Sequence, residues 1–446
     1  MLKQFVFVIL GLLIFSPVSD SGVVHDLDKK HFVDHPVPCS ETFSIHINHL
    51  KLKQRIFEYP EIKTEKFFDN RMRYFNGSVL VAKKGEILFT KNFGKSAIRS
   101  GEPISEKSSF QLASLSKQFT AAAILLLHQK TLLNIDSAVV NYIPEFPYSE
   151  ITIRQLLNHT SGLPNYMWLL ENKWNRKEIP DNQETMKMFC NADLPLYFKP
   201  GSRFDYSNTG YFVLATIVEE VTKTSFQAFM RKNFFLPIGM SNTGFYDSDN
   251  ANQLSGYRKG RRRIYFIPQT VNDGVLGDKG LYSNAVDMFK WHQSIINYTL
   301  LNKEMVDLAF QNGKTNSERK VPYGFGYRLK NSKSDSKIYH HGVWNGFTNA
   351  YEYTPEDSLL VIVLSNNSYQ YISYIVHKMR EIAVEYNEFL ELALAIQKEG
   401  ICFKVENKNE LFENYSVFSK DRHLYNDIDS IMRRTSRSNY MYLPIK

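Results

Sequence analysis

The 446-residue chain has only three cysteines, Cys39, Cys190 and Cys402. They are odd in number, widely spaced and form no C-x-x-C, so a disulfide framework and a zinc-finger pattern are both excluded. No G-x-S-x-G elbow occurs, which argues against an α/β-hydrolase. No H-E-x-x-H string occurs, which argues against a zincin. No apolar run reaches the ~20 residues that span a bilayer, so no integral membrane span is expected. Charge of one sign is also scarce: Lys+Arg 54 against Asp+Glu 46 leaves +8, spread thinly. The densest basic run, Arg258-Lys259-Gly260-Arg261-Arg262-Arg263, stands beside no recognition motif, so a nucleic-acid partner is not expected. The run reads as a solvated loop. At 43% hydrophobic and 22% charged, the composition is that of a globular protein with a sizeable core.

The N-terminus has the pattern of an export signal. Lys3 precedes an apolar stretch from Phe5 to Phe15, and Ser19-Asp20-Ser21 supplies small residues for cleavage. Residues 1–21 are therefore read as a signal peptide, and the mature protein as exported, periplasmic or secreted. Residues 22–73 form a polar, His-rich segment. His31 and His35 have metal-ligand spacing, but Pro36 and Pro38 disfavour the helix that would bring them together. No metal site is assigned.

Regular structure begins at a hairpin. Ser78 to Ala82 and Ile87 to Phe93 are β-rich runs joined by Lys83-Lys84-Gly85-Glu86. From Ser114 to about Asn312 the spacing is mostly helical, with Ala121 to Leu127, Thr209 to Val221 and Ala285 to Tyr298 as the clearest stretches. Strand patterns return at Tyr323 to Leu329, Phe347 to Tyr353 and Leu359 to Leu364. A long helix follows from Tyr369 to about Gln397. A helix-rich region is thus inserted within the sequence of a sheet. The tail 399–446 has no assigned structure.

Three elements carry chemistry. Ser-x-x-Lys occurs at Ser114, Ser317 and Ser334, but only Ser114-Leu115-Ser116-Lys117 opens an apolar helix. A spacing of three puts both side chains on one helix face. Ser114 would sit where backbone N–H groups lack partners, and Lys117 would be desolvated enough to take its proton. The second element is Tyr206-Ser207-Asn208 after Pro200-Gly201. Here Tyr206 can move a proton and Asn208 can both donate to and accept from a substrate amide. The third is His340-His341-Gly342 on a strand. Its glycine admits another backbone closely, and the next N–H, that of Val343, could pair with that of Ser114 as an oxyanion hole. Read alone, each element is commonplace: a helix cap, a turn, a structural histidine pair.

In this order the three elements resemble the active-site motifs of serine β-lactamases and penicillin-binding proteins. The likeness is to the class C β-lactamase-related branch, in which Tyr-x-Asn replaces Ser-x-Asn. The strings Leu156-Leu157-Asn158-His159-Thr160-Ser161-Gly162-Leu163, Tyr206-Ser207-Asn208-Thr209-Gly210-Tyr211, Leu236-Pro237-Ile238-Gly239-Met240 and Gly280-Leu281-Tyr282-Ser283 extend it. Together they span about residues 74–390. The resemblance implies an α/β (α+β) fold, an antiparallel sheet flanked by helices with an all-helical lobe, in a hydrolase domain at 74–398. It implies Ser114 as nucleophile, Lys117 and Tyr206 as its activators, and Asn208, His340 and Gly342 as substrate contacts. It implies neither cofactor nor metal. The partner is a small-molecule or peptide substrate, and oligomeric state is left open. The departure lies in the third element, where true β-lactamases usually carry Lys-Thr-Gly, whereas esterases and peptidases resembling this branch often carry a His at the first position. Here His340 would supply charge only when protonated, near pH ~6.5, and His341 offers no hydroxyl. The function expected is an exported serine hydrolase acting through an acyl-enzyme on an ester, a D-amino-acid peptide or a β-lactam. A catalytically silent binding protein on the same fold is the alternative.

Overall fold

The computed structural model describes residues 60–399, apart from 61, 73, 98–100, 261–262, 333–335 and 369–370. The signal-peptide assignment, His31 and His35, Cys39, Cys402, Ser334 and the tail lie outside these residues. The chain divides into two compact units. Residues 66–380 form the larger. The other comprises the residues up to 65 and those from 381 on, and its described part is mainly helical. Among the described residues no helix is long and apolar enough to cross a membrane.

The larger unit is built on a six-stranded sheet. Its order is Arg328–Lys330, Lys337–Trp344, Phe347–Thr354, Leu359–Ser365, Gly77–Lys83 and Glu86–Phe93, with every neighbouring pair antiparallel. The first hairpin therefore joins the last strands, with Gly77 opposite Ser365 and Val81 opposite Val361. Leu359–Ser365 is buried on both faces. It consequently reads as an unbroken apolar run rather than an alternating one. Helix Ala285–Ile296 packs against it and against Gly77–Lys83.

Lys337–Trp344 behaves differently. Ile338, His340 and Gly342 are buried, while Tyr339 and His341 on the opposite face are half-buried. Only its first three residues pair with the short strand Arg328–Lys330, so on that side the pairing stops before His340. The expected strand Tyr323 to Leu329 is shortened to this remnant. Gly324 and Gly326 fold the chain into a turn, with the Gly324 N–H donating to the Tyr327 carbonyl (2.9 Å).

No strand lies between Gln111 and Gly244 among the described residues. That stretch is the helical region, with Ser116–Gln129 and Asn208–Thr222 packed together in its core. Of the basic run expected as a solvated loop, Arg258 and Lys259 belong instead to a strand, Gly256–Lys259, paired with Ile264–Ile267, while Arg261 and Arg262 lie outside the described residues.

Candidate active site

Ser114 stands in a 3₁₀ turn, Ala113–Leu115, that leads directly into helix Ser116–Gln129. Ala113 before it is fully buried and adopts φ +51°, a left-handed conformation unusual for a residue with a side chain. Such strain costs on the order of 1–3 kcal/mol and persists where surrounding packing enforces it. The enforcing contact is Gly342. A Cβ there would lie 2.3 Å from the Leu112 carbonyl oxygen and 3.1 Å from the Ser114 amide nitrogen. Only a residue without a side chain lets the strand approach the serine turn this closely. Opposite Gly342, the buried Asn349 donates from Nδ2 to the Gln111 carbonyl (2.9 Å) and ties the turn to the sheet.

Lys117 lies one turn into the helix and is completely buried. Its Nζ donates to Ser114 Oγ (3.3 Å), Asn208 Oδ1 (2.8 Å) and the Asp278 carbonyl (2.8 Å). Three acceptors match the three N–H bonds of an ammonium group. Asn208 is the first residue of helix Asn208–Thr222, which Ser207 caps by accepting from the Gly210 N–H. This start aims the Asn208 amide at Lys117. The Lys117 ammonium also sits 5.0 Å from the centroid of the Tyr206 ring. The Tyr206 hydroxyl is enclosed and has no hydrogen-bond partner among the described residues.

Among the described residues the second Ser-x-x-Lys string builds nothing comparable, and Ser334 of the third lies outside them. Ser317 Oγ contacts Thr315 Oγ1 (3.1 Å) and Arg319 Nε (3.3 Å). Lys337 of the third string is paired with Glu352 (3.1 Å). Val343, beyond Gly342, is exposed, and a cavity of about 230 Å³ opens beside Tyr206 and Asn208, walled by Leu163, Met167, Tyr197, Phe198 and Asp205.

This serine, lysine, tyrosine and asparagine constellation coincides with a match over residues 64–381 to the family described as Beta-lactamase. The chain belongs to that family. Its members are serine hydrolases. A relative from Bacillus subtilis named penicillin-binding protein 4* is 37% identical over 61% of this chain and 64% of its own length. The chain thus spans somewhat under two thirds of that relative. A solved penicillin-binding protein from Bacillus halodurans has a TM-score of 0.62 at 25% identity, covering 72% of this chain and 98% of that one. A D-amino acid amidase from Ochrobactrum anthropi shares the fold, with a TM-score of 0.63 at 19% identity over 73% of this chain and 98% of that one.

Within this family fold, His340 takes a position that overturns its expected titration. Its Nδ1 donates to the His341 carbonyl (2.7 Å), and its Nε2 accepts from the Tyr323 hydroxyl (3.0 Å). Burial, followed by the charge of Lys117, holds it well below the ordinary histidine range. It is a neutral ring with both nitrogens engaged, so it offers no positive charge in mildly acid solution. His341 lies on the other side of the strand pleat. Beside Lys117, a second cation near Tyr206 is Arg328. Its guanidinium lies 5.0 Å from the Tyr206 ring centroid and makes no ion pair among the described residues.

Three further groups support the site. His159, from the Leu156–Leu163 string, is buried with its ring 4.3 Å from that of Tyr206 and 4.4 Å from that of Tyr323. Its Nδ1 accepts the Ser207 N–H (3.1 Å), which locks the chain that carries Tyr206. Burial, then Lys117, His340 and Arg328, keeps it neutral. Asp278, whose carbonyl holds Lys117, turns its carboxylate to Tyr166 Oη (3.1 Å) and to Lys279 (3.4 Å). Asp273 accepts from Trp344 Nε1 (2.6 Å) and Asn345 Nδ2 (2.7 Å), fixing the end of the Gly342 strand. Spacing along the chain carries no trace of Arg328, Asp273 or Asp278, because each reaches the site from a distant segment.

Proposed function

We propose that this chain is an exported serine hydrolase that works through an acyl-enzyme on Ser114. The observation that carries the reading is Lys117. Fully buried, it holds Ser114 Oγ, the Asn208 amide and a backbone carbonyl at once. Ser114 Oγ attacks the substrate carbonyl carbon. The Tyr206 hydroxyl, with no hydrogen-bond partner among the described residues, takes the serine proton as it hands its own to the leaving amine or alcohol. Lys117 stabilises the negative charge that develops between the two oxygens. The N–H groups of Ser114 and Val343 hold the oxyanion. Water then attacks the ester on Ser114, and its second proton restores the serine hydroxyl.

The substrate class proposed is a peptide or amide with an apolar side chain in its acyl part, D-amino-acid derivatives first. Leu163, Met167 and Phe198 beside Tyr206 form an apolar wall for that side chain. The names of the Bacillus subtilis relative and of the amidase with the same fold support this class. Arg328 supplies the positive charge that the neutral His340 does not, so a carboxylate on the substrate would face the guanidinium. Export rests on the N-terminal apolar stretch.

The test is covalent labelling followed by intact-mass measurement. The wild type takes up one equivalent of a fluorophosphonate or penicillin and hydrolyses esters or D-peptides. Ser114→Ala does neither, and Ser317→Ala does both. Labelling of a Ser114→Ala protein would place the nucleophile elsewhere. A folded wild type that neither labels nor turns over would favour the silent binding protein.

A further inference from the structure

The ribbon Gly256–Lys259 with Ile264–Ile267 plays no part in the chemistry above, yet its composition is unusual for a surface hairpin. Ile264-Tyr265-Phe266-Ile267 is an apolar strand with a single partner strand. Tyr265 is 50% exposed and Phe266 58% exposed, although the two point to opposite faces. Both faces of the ribbon therefore present an aromatic ring to solvent. Soluble domains normally break such edges with charge and keep large apolar rings off them.

Charge is concentrated on the same ribbon. Arg258 lies directly opposite Tyr265, and Arg263 begins the returning segment. Both arginines are exposed and make no ion pair among the described residues. The base of the ribbon is firmly held. The Tyr257 N–H donates to the Asn366 carbonyl (2.7 Å), and a Cβ on Gly256 would lie 1.8 Å from the Asn345 carbonyl oxygen. Asn345 follows Trp344 at the end of the strand that carries Gly342, so the ribbon stands at the rim of the active site.

We propose that this ribbon is a docking arm for an anionic lipid surface. Unpaired guanidinium groups attract acidic headgroups, and each basic residue near such a surface adds about 1 kcal/mol of attraction, roughly fivefold in partitioning. Tyrosine and phenylalanine rings suit the boundary between headgroups and acyl chains. A water-soluble polyanion would use the arginines but leave the Ile-Tyr-Phe-Ile strand unexplained. Docking through the ribbon brings the mouth of the site to the surface.

The experiment is co-sedimentation of the full chain with phosphatidylcholine vesicles, with and without phosphatidylglycerol. The wild type should pellet with the phosphatidylglycerol vesicles, remain in solution with phosphatidylcholine alone, and be released by salt. Arg258→Glu with Arg263→Glu should lower partitioning at least about tenfold. Tyr265→Ser with Phe266→Ser should lower it as well, with unchanged melting temperature and unchanged turnover of a soluble substrate in both double variants. Binding lost only in the arginine variant, and retained in the aromatic one, would assign the ribbon to a soluble polyanion and overturn the proposal. So would equal vesicle binding by all three proteins.

Discussion

Gly342 and Ser114 are in backbone contact: a methyl group on the glycine would stand 3.1 Å from the serine amide nitrogen. The strand thus acts as the template that holds Ala113 at φ +51° and sets the direction of Ser114, the nucleophile proposed above.

Gly342→Ala should therefore separate strand and turn. A displacement of about 1 Å at reacting groups costs on the order of 10²-fold in rate. The expected result is a fall in kcat/KM of that size, with a lower melting temperature from overpacking. Wild-type kcat/KM in Gly342→Ala would mean that the contact does not position Ser114.

Lys117 and Tyr206 should differ in what their removal does to the fold. Lys117→Met leaves the Asn208 amide oxygen and the Asp278 carbonyl buried without their donor, so it should cost roughly 1–3 kcal/mol of stability as well as activity. Tyr206→Phe removes a hydroxyl that has no hydrogen-bond partner among the described residues, so stability should hold or rise while turnover falls by about 10²-fold or more. Denaturant unfolding and steady-state kinetics on both variants separate the two effects. A Tyr206→Phe protein with wild-type rates would remove the tyrosine from the mechanism.

Acid should destabilise the fold through buried histidines. His159, His292 and His340 are all pushed below the ordinary value by burial, His292 to about 3. Their folded-state values lie below the unfolded one, so the unfolded chain binds more protons in acid. Stability is full above pH ~6.5 and is lost as pH falls below it, each histidine contributing about 1.4 kcal/mol per pH unit until its folded value is reached. His292 lies outside the active site and bonds through Nδ1 to the Tyr351 hydroxyl (2.7 Å). His292→Gln should make the decline of melting temperature between pH 6.5 and 4 shallower by one group's share. An unchanged slope would show that His292 is not held neutral in the fold.

Arg328 should distinguish substrates by charge. Arg328→Gln should raise KM about tenfold or more for a carboxylate-bearing substrate, the scale of one charged hydrogen bond, and leave a neutral ester nearly unaffected. KM for the carboxylate substrate should not follow a histidine titration, because His340 stays neutral. Equal effects on both substrates would assign Arg328 to Tyr206 instead.

Much of this was legible in the chain itself. The helices at Ser116–Gln129, Asn208–Thr222 and Ala285–Ile296 follow apolar spacing, and the strand Leu359–Ser365 follows its unbroken apolar run. The serine, the lysine and the tyrosine-asparagine pair stand in local patterns with a direct physical meaning. His340 was misjudged because a strand pattern gives the face a side chain takes, not the depth of the pocket behind that face. Tyr323, which fills that pocket, reaches it from beyond a glycine turn. Arg328 escaped notice because a lone arginine on a three-residue strand has no signature.

The meeting of first and last strands also governs when the enzyme can exist. Asn76 and Asn366 bond side chain to side chain (2.6 Å) across 290 residues of sequence. The strand Gly77–Lys83 leaves the ribosome early and must wait for its neighbour at Leu359–Ser365. Pairings of such separation form slowly, since the loop must close before any contact rewards it. The helical region, whose contacts span shorter separations, can condense in the interval with the serine already in the turn that leads into its helix. Gly342 arrives well after that region, so the strained turn at Ala113 is set only late in synthesis. Catalytic competence is therefore a late event in the life of each chain, and a truncated product lacking the final strands would be inert.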